Sequence, residues 1–197
     1  MAQSTEDERQ TCAVALDTSH ALTFAGQYAS AKRWAHWALQ RHARYRVGDE
    51  LLRLSLVTQV AYLQLLTDEP DAAEDLLTTV KLPEQLVGVP MMEALTSTRG
   101  DLAFIKGDLG LARERYQQHY EQLALANVGF GALDLVKALV RLQDLREARR
   151  VLDEAGELAG TRDLESTNAR ALEVARGHMC FAEGRIGDAI DHYHGAV

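Results

Sequence analysis

The sequence predicts an all-α protein, and two observations carry that prediction. Apolar residues return at three- and four-residue steps almost throughout the chain, the spacing of a buried helix face, and the runs amount to about ten helices. One such stripe runs through Leu109, Ala112, Tyr116 and Leu123. No segment alternates apolar with polar residues over the length of a strand, and leucine, alanine, arginine and glutamate dominate the composition.

The bulk composition indicates one globular domain. The chain has 197 residues, of which 47% are hydrophobic and 25% charged. Its start is polar and acidic and no apolar run approaches the roughly 20 residues of a membrane span, so we expect a cytoplasmic protein without membrane contact. A net charge of −8 disfavours nucleic acid as a partner. Cys12 and Cys180 lie far apart, outside any metal-binding spacing, and are expected to be buried thiols.

Helix ends are marked by glycine and aspartate. The glycines that separate the periodic runs are Gly26, Gly48, Gly107, Gly160 and Gly184. Asp68, Asp108 and Asp144 stand where a helix would begin, because an aspartate accepts hydrogen bonds from the free N–H groups of a first turn. Pro70 fits a first helical turn for the related reason that proline lacks an N–H group.

The longest interruption of the helical pattern is KLPEQLVGVP, residues 81 to 90. It holds two of the three prolines in the chain, and proline breaks a helix interior. We therefore expect a single domain over residues 1–197, with a hinge candidate at 81–90.

A repeated pattern follows the breaks: a turn, then alanine, then a large apolar residue four positions later. The matching segments are KGDLGLARERYQQH (106–119), LQDLREARRVLDEA (142–155), EGRIGDAIDHYHGA (183–196), TDEPDAAEDLLTTV (67–80) and, more loosely, AGQYASAKRWAHWA (25–38). Their alanines are Ala31, Ala73, Ala112, Ala148 and Ala189. Alanine suits a position where two antiparallel helices touch closely, because a larger side chain would push them apart.

This pattern resembles the tetratricopeptide repeat, a helix–turn–helix unit of about 34 residues. The residues that carry the resemblance are Gly100, Gly107, Ala112 and Tyr116, and then Gly177, Gly184, Ala189, Tyr193 and Ala196. The sequence departs from the family in three ways. Its alanines are 42, 39, 36 and 41 residues apart, which is longer than the family's repeat, and the closing proline is absent from most units. The aromatic residue of the first helix is replaced by Ala103, Leu139 and Cys180. The resemblance implies an antiparallel helix-pair solenoid, a right-handed superhelix with a concave face.

In that family the first helix of each pair lines the concave face. The resemblance therefore implies a partner-binding groove formed by His20, Tyr62, Asp101, Phe104, Lys137, His178 and Phe181. Steps of three and four residues keep neighbours on one helix face. A groove with aromatic and charged side chains suits an extended peptide or a helix, so we expect a protein-interaction or scaffold module. Packing of these side chains in the interior of the superhelix is the competing interpretation.

Two other functions stay open: a regulatory sensor that binds a small molecule or a signalling peptide, and a structural oligomer that binds only itself. Asp188 and His192 lie four residues apart, a spacing that metal or acid–base pairs share with ordinary solvated helices. No glycine-rich phosphate loop and no nucleophile–histidine constellation is recognisable. We therefore expect no enzyme, no cofactor and no metal site.

Residues 32 to 46, KRWAHWALQRHARYR, hold five of the 21 basic residues and no acidic one. On a helical wheel, Trp34 falls in the packing stripe and is predicted to be core. Trp37 falls on the other side, where Arg33 and Arg41 are placed to stack on its ring. The predicted surface patch consists of Arg33, Trp37, Arg41 and Arg44. One interpretation is that a neighbouring helix or the N-terminal segment covers Trp37, with the acidic run at 6–8 nearby to offset the charge. The other is that the patch binds a protein; nucleic acid and membrane are disfavoured.

The last predicted helix shows an apolar stripe with no polar helix after it to cover it. Its members are Ile186, Ala189, Ile190 and Tyr193. Because a solenoid end needs a cap, we expect Ile186, Ile190 and Tyr193 to pack against a second copy, another protein or a continuation of the chain.

Overall fold

A computed structural model describes residues 2–80, 90–122, 128–160 and 166–197, and throughout these ranges the chain forms helices and no strand. The ten helices are α1 (Ala2–Phe24), α2 (Tyr28–Arg44), α3 (Glu50–Leu66), α4 (Pro70–Thr78), α5 (Pro90–Ile105), α6 (Leu109–Gln122), α7 (Val128–Arg141), α8 (Leu145–Gly160), α9 (Ser166–Ala182) and α10 (Ile186–Gly195). The predicted all-α class and helix number are confirmed. Within the same ranges, none of the helices combines the length and the hydropathy needed to cross a membrane.

The same turn joins the two helices of each of five pairs. In every case one residue has a left-handed backbone conformation, with φ between 61° and 81°: Gly26, Asp68, Gly107, Gln143 and Gly184. The N–H group of the following residue bonds to the carbonyl oxygen five residues before it, at 2.8–2.9 Å in all five turns. This bond closes the end of the first helix in each pair.

One of the predicted helix starts is wrong in detail. Asp68 takes the left-handed turn position, and α4 begins two residues later at Pro70, in the first-turn place predicted for proline. Asp108 and Asp144 do cap their helices, since their Oδ1 atoms accept from the N–H groups of Leu111 at 3.0 Å and Glu147 at 3.3 Å.

The repeated alanines hold one place in all five pairs. Each follows the left-handed residue by five positions and is 0–1% exposed: Ala31, Ala73, Ala112, Ala148 and Ala189. Each alanine also donates its N–H group to the carbonyl oxygen of the residue four positions before it, which directly follows the left-handed residue, at 2.9–3.1 Å. The sequence pattern therefore corresponds to a repeated local structure.

The chain divides into two compact units, Met1–Thr98 and Arg99–Val197, and α5 contributes residues to both. In the first unit, α1 packs on α2 and α3, α2 on α3, and α3 on α4. Small side chains such as Ala35 and Ala38 meet Val60 and Leu56 in its core. Residues 81–89 of the hinge candidate lie outside the described ranges, and the single-domain interpretation stays a prediction.

In the second unit, α7 lies at the centre and packs on α6, α8 and α9, while α9 also packs on α8 and α10. The start of α7 comes very close to the start of α9. A Cβ atom on Gly129 would lie 2.1 Å from the carbonyl oxygen of Asn168, so only glycine fits there. The Gly129 N–H group donates to Asn168 Oδ1 at 3.2 Å. As predicted, Cys12 and Cys180 are free, buried thiols.

Candidate binding face of the second unit

Three of the predicted groove residues occupy one repeated position. Asp101, Lys137 and His178 each precede the repeat alanine of their own helix pair by eleven residues. They lie on α5, α7 and α9, the first helices of successive pairs in the second unit. His20 and Tyr62 hold the equivalent position on α1 and α3.

Lys137 is the centre of this cluster. Its Nζ donates to Asp101 Oδ1 at 3.3 Å and to Asp134 Oδ1 at 3.5 Å. The same atom lies 5.0 Å from the ring centroid of Phe104 and 5.2 Å from that of Tyr116, distances at which a cation is attracted to an aromatic face. Burial acts to lower the pKa of Lys137, but the two carboxylates outweigh it and the pKa is raised. Lys137 therefore stays charged.

Tyr116 fixes the position of Asp101, one of the two carboxylates that hold Lys137. The ring is fully buried, and its hydroxyl donates to Asp101 Oδ1 at 2.6 Å. A Cβ atom on Gly100 would lie 2.5 Å from Tyr116 Cε1, so the glycine leaves the space that the ring occupies. Asp101 therefore accepts hydrogen bonds from both Tyr116 and Lys137, and its position is set by α6 and α7 together.

The same arrangement, a glycine on one helix that leaves space for a tyrosine ring on the next, recurs on α9 and α10. A Cβ atom on Gly177 would lie 2.4 Å from Tyr193 Cε1, and the Tyr193 hydroxyl lies 3.1 Å from Nδ1 of His178. Burial and the charge of Lys137 both lower the pKa of His178, so its imidazole is neutral near pH 7. Phe181, one turn further along α9, is 62% exposed.

Sequence reasoning missed three residues of this face. Phe130, Asp134 and Arg141 share one side of α7 with Lys137, because the steps between them are four, three and four residues. Phe130 is 42% exposed. The guanidinium of Arg141 lies 5.6 Å from the centroid of Phe104, and no described residue forms an ion pair with it. The helical spacing from Lys137 was the signal that would have found all three.

We call the set on the three helices the α5/α7/α9 face. It consists of Asp101, Phe104, Phe130, Asp134, Lys137, Arg141, His178 and Phe181. Of the predicted groove, the structure connects Asp101, Phe104, Lys137 and His178. His20 and Tyr62 belong to the first unit, where His20 is exposed and Tyr62 half-buried.

The predicted surface patch on α2 is exposed, but one neighbouring prediction is wrong. Trp34, predicted to be core, is 44% exposed, and its ring lies 5.8 Å from that of Trp37 in an edge-to-face contact. The reason is that Ala31, Ala35 and Ala38 are the buried residues of this part of α2. Their small side chains bring the neighbouring helices in close, and the larger Trp34 is left at the border of that contact.

The acidic run near the start of the chain does offset part of the patch, as the sequence suggested. Glu8 forms a bidentate ion pair with Arg41. The guanidinium of Arg41 also lies 5.1 Å from the ring centroid of Trp37 and 4.9 Å from that of Tyr45. Arg33, also predicted to reach Trp37, donates instead to Ser30 Oγ at 3.1 Å.

The last helix shows part of the expected apolar stripe. Ile186 and Ile190 are 48% and 49% exposed, whereas Ala189 is buried and Tyr193 packs over Gly177. Asp188 pairs with Arg185 at 2.6 Å and not with His192.

Nδ1 of His192 lies 2.8 Å from Glu173, so the helix-face pair considered for acid–base or metal chemistry is not formed. Among the residues that the structure describes, no three His, Cys, Asp or Glu side chains are placed to hold a metal ion.

Comparison with known proteins adds no relative. The sequence matches no protein-family model and no curated protein at a significant level of similarity.

Proposed function

We propose that this protein is an interaction module that binds a peptide or a helix of a partner protein on the α5/α7/α9 face. The observation that carries the proposal is the fixed, half-buried Lys137, which is held by Asp134 on its own helix and by Asp101, Phe104 and Tyr116 on α5 and α6. A charged group held in this way has already lost its conformational freedom, so a ligand that contacts it is bound at a lower entropic cost.

The face offers a peptide both apolar area and polar contacts. Phe181 and Phe130 are exposed aromatic side chains that a partner's apolar residues would cover. Asp101 and Asp134 accept hydrogen bonds, which suits the N–H groups of a peptide backbone. Arg141 supplies a cation that no carboxylate neutralises among the described residues, which suits an acidic side chain of the ligand.

We also propose how the helix pairs are arranged. Five equal turns and five buried alanines support treating the helix pairs as divergent tetratricopeptide-like repeats, stacked as a right-handed solenoid with first helices on the concave side. On this interpretation His20 and Tyr62 continue the ligand-facing positions in the first unit, and the module acts in the cytoplasm.

A pull-down with matched variants tests the proposal. The wild-type chain and a Phe104→Ala, Phe181→Ala double variant are used to capture partners from native cell extract, read by mass spectrometry. Leu111→Ala is the control, because Leu111 is 39% exposed and lies on α6, which contributes no residue to the proposed face. We expect one or more partners to be lost from the double variant and kept by the control. Equal partner lists for all three chains would contradict the proposal.

A small-molecule sensor is the second candidate function, favoured by one cavity in the second unit. The cavity has a volume of about 660 Å³, with Leu152, Met179 and Cys180 among its apolar lining. Arg149, Arg176 and Arg185 also line it, and each is paired with a glutamate. A small anionic ligand would compete for these arginines. Native mass spectrometry of protein purified without refolding tests for a retained ligand, and Arg176→Ala should release it.

A further inference from the structure

A groove runs along the outside of the first unit between α1 and α2. Its lining residues are Asp7, Gln10, Thr11, Val14, Ala15, Thr18, Trp34 and Trp37, and its volume is about 470 Å³. We call it the Trp groove. Its apolar lining is unusually exposed, since Val14 is 65%, Trp34 44% and Trp37 40% accessible to solvent. Exposed tryptophans are rare on surfaces that bind nothing and frequent as anchors at interfaces.

The two tryptophans are held in place before any partner arrives. Their rings meet edge to face with an interplanar angle of 80°. Arg41 lies against Trp37 and is itself fixed by Glu8 of α1. A fixed aromatic surface loses little conformational entropy on binding, which makes it a better anchor than a mobile one.

The shape of the groove fits a helix. Asp7, Thr11, Val14 and Thr18 follow one another at steps of four, three and four residues, so one side of α1 lines the groove. The stretch from residue 7 to 18 rises by about 16 Å, roughly three turns of helix. An amphipathic helix of about that length would lie in the groove as a third helix against α1 and α2.

The charges on the α2 side of the groove favour an acidic occupant, whereas the α1 side carries Asp7 in its lining. Lys32 and Arg41 are neutralised by Glu69 and Glu8. No described residue forms an ion pair with Arg33 or Arg44. Arg33 donates to Ser30, and Arg44 lies against the ring of Tyr45. These two cations flank the tryptophans on α2, on a chain with a net charge of −8. An acidic partner would complement them, whereas a second copy of this acidic chain would be repelled over most of its surface.

We propose that the Trp groove is a docking site for an amphipathic helix of a partner protein, with bulky apolar residues on one face and acidic residues beside them. Its apolar residues cover Trp34, Trp37 and Val14, and its carboxylates meet Arg33 and Arg44. The site lies wholly in the first unit and does not depend on the α5/α7/α9 face.

The first step of the test identifies what the groove selects. A displayed library of random 16-residue peptides is selected on the immobilised full chain and counter-selected on a Trp34→Ala, Trp37→Ala variant. The expected peptides carry apolar residues at three- and four-residue steps with aspartate or glutamate next to them. Enrichment of basic or uncharged peptides, or no enrichment over the counter-selection, would overturn the proposal.

The second step measures binding of an enriched peptide. The chain has only two tryptophans, both in the groove, so the emission of the protein reports on this site directly. We expect the tryptophan emission to move to shorter wavelength as peptide is added, until the shift saturates. The Arg33→Gln, Arg44→Gln double variant keeps both tryptophans and should bind the peptide at least about fivefold more weakly. Arg146→Gln, exposed on α8, is the matched control and should bind as wild type.

Unchanged affinity in the double arginine variant would overturn the role of charge. A concentration-dependent dimer in sedimentation, lost in Trp37→Ala, would instead assign the groove to a second copy of this chain and also overturn the proposal.

Discussion

The ring of Tyr116 fills the place that a side chain on Gly100 would take. The Cβ atom of an alanine there would lie 2.5 Å from Cε1 and 2.6 Å from Cδ1 of the tyrosine. The ring cannot move aside easily, because it is fully buried and its hydroxyl is bonded to Asp101. One glycine thus sets the position of the carboxylate that holds Lys137.

The first prediction concerns this contact. Gly100→Ala should lower the free energy of unfolding by about 1–3 kcal/mol, the usual cost of overpacking a core. Gly177→Ala should cost less, because Tyr193 is only half-buried and its ring has room to turn outward. The measurement is urea unfolding followed by circular dichroism. Gly110→Ala is the control, since its Cβ would meet only Asp108 Oδ1 at 3.7 Å. A Gly100→Ala chain as stable as wild type would contradict the packing described.

The second prediction concerns the repeated turns. Gln143 takes the left-handed position with φ of 61°, where a side chain costs about 1–2 kcal/mol relative to glycine. Gln143→Gly should raise stability by up to about 1 kcal/mol, since part of the gain is offset by the greater freedom of glycine in the unfolded chain. Gly107→Gln, at the equivalent turn with φ of 81°, should have the opposite sign. Paired thermal and urea unfolding curves check both, and shifts of equal sign would contradict the equivalence of the turns.

The third prediction concerns the link between Lys137 and His178. The positive charge of Lys137 helps to lower the pKa of His178, after the larger effect of burial. Lys137→Met should therefore raise the pKa of His178, which an NMR titration of the histidine ring protons measures directly. His36 is the internal control, because its lowered pKa comes from burial and Lys32. An unchanged His178 titration would show that the two side chains are not coupled.

The fourth prediction concerns acid stability. Burial lowers the pKa of His119 to about 4, against about 6.5 in an unfolded chain. Between these values the unfolded state binds more protons, so stability is lost as the pH falls below about 6.5. The contribution of His119 between pH 7 and pH 5 is a loss of about 2 kcal/mol. His119→Gln should show a shallower pH dependence than wild type in urea unfolding, whereas Gln118→Ala, at a neighbouring exposed position that carries no titratable group, should follow wild type. Parallel pH profiles for wild type and His119→Gln would contradict this assignment.

How much of the structure the sequence predicted depends on how far apart in the sequence the interacting residues lie. The turns and the buried alanines follow from local signals: glycine or aspartate at the break, then alanine five residues after the left-handed residue. Gln143 carries no such signal, since the left-handed position at that turn is imposed by the helices on either side.

The binding face shows the limit of such local signals. The sequence placed Asp101 and Lys137 on the same side of their helices, but their ion pair is fixed by how α5 and α7 pack. Trp34 was misassigned for a related reason. A helical wheel gives the direction of a side chain, but the depth of burial depends on how the neighbouring helices pack, and there the small Ala35 is fully buried while Trp34 is not.

The most direct test of the central claim is site-specific photocrosslinking on the α5/α7/α9 face. A photoreactive p-benzoylphenylalanine replaces Phe181, which is 62% exposed on that face, and in a control chain it replaces Arg146, which is exposed on α8. Both chains are irradiated in native cell extract and the adducts are identified by mass spectrometry. The account predicts a discrete partner peptide joined at position 181 and absent at 146. No adduct at 181, or the same adducts at both positions, would contradict it.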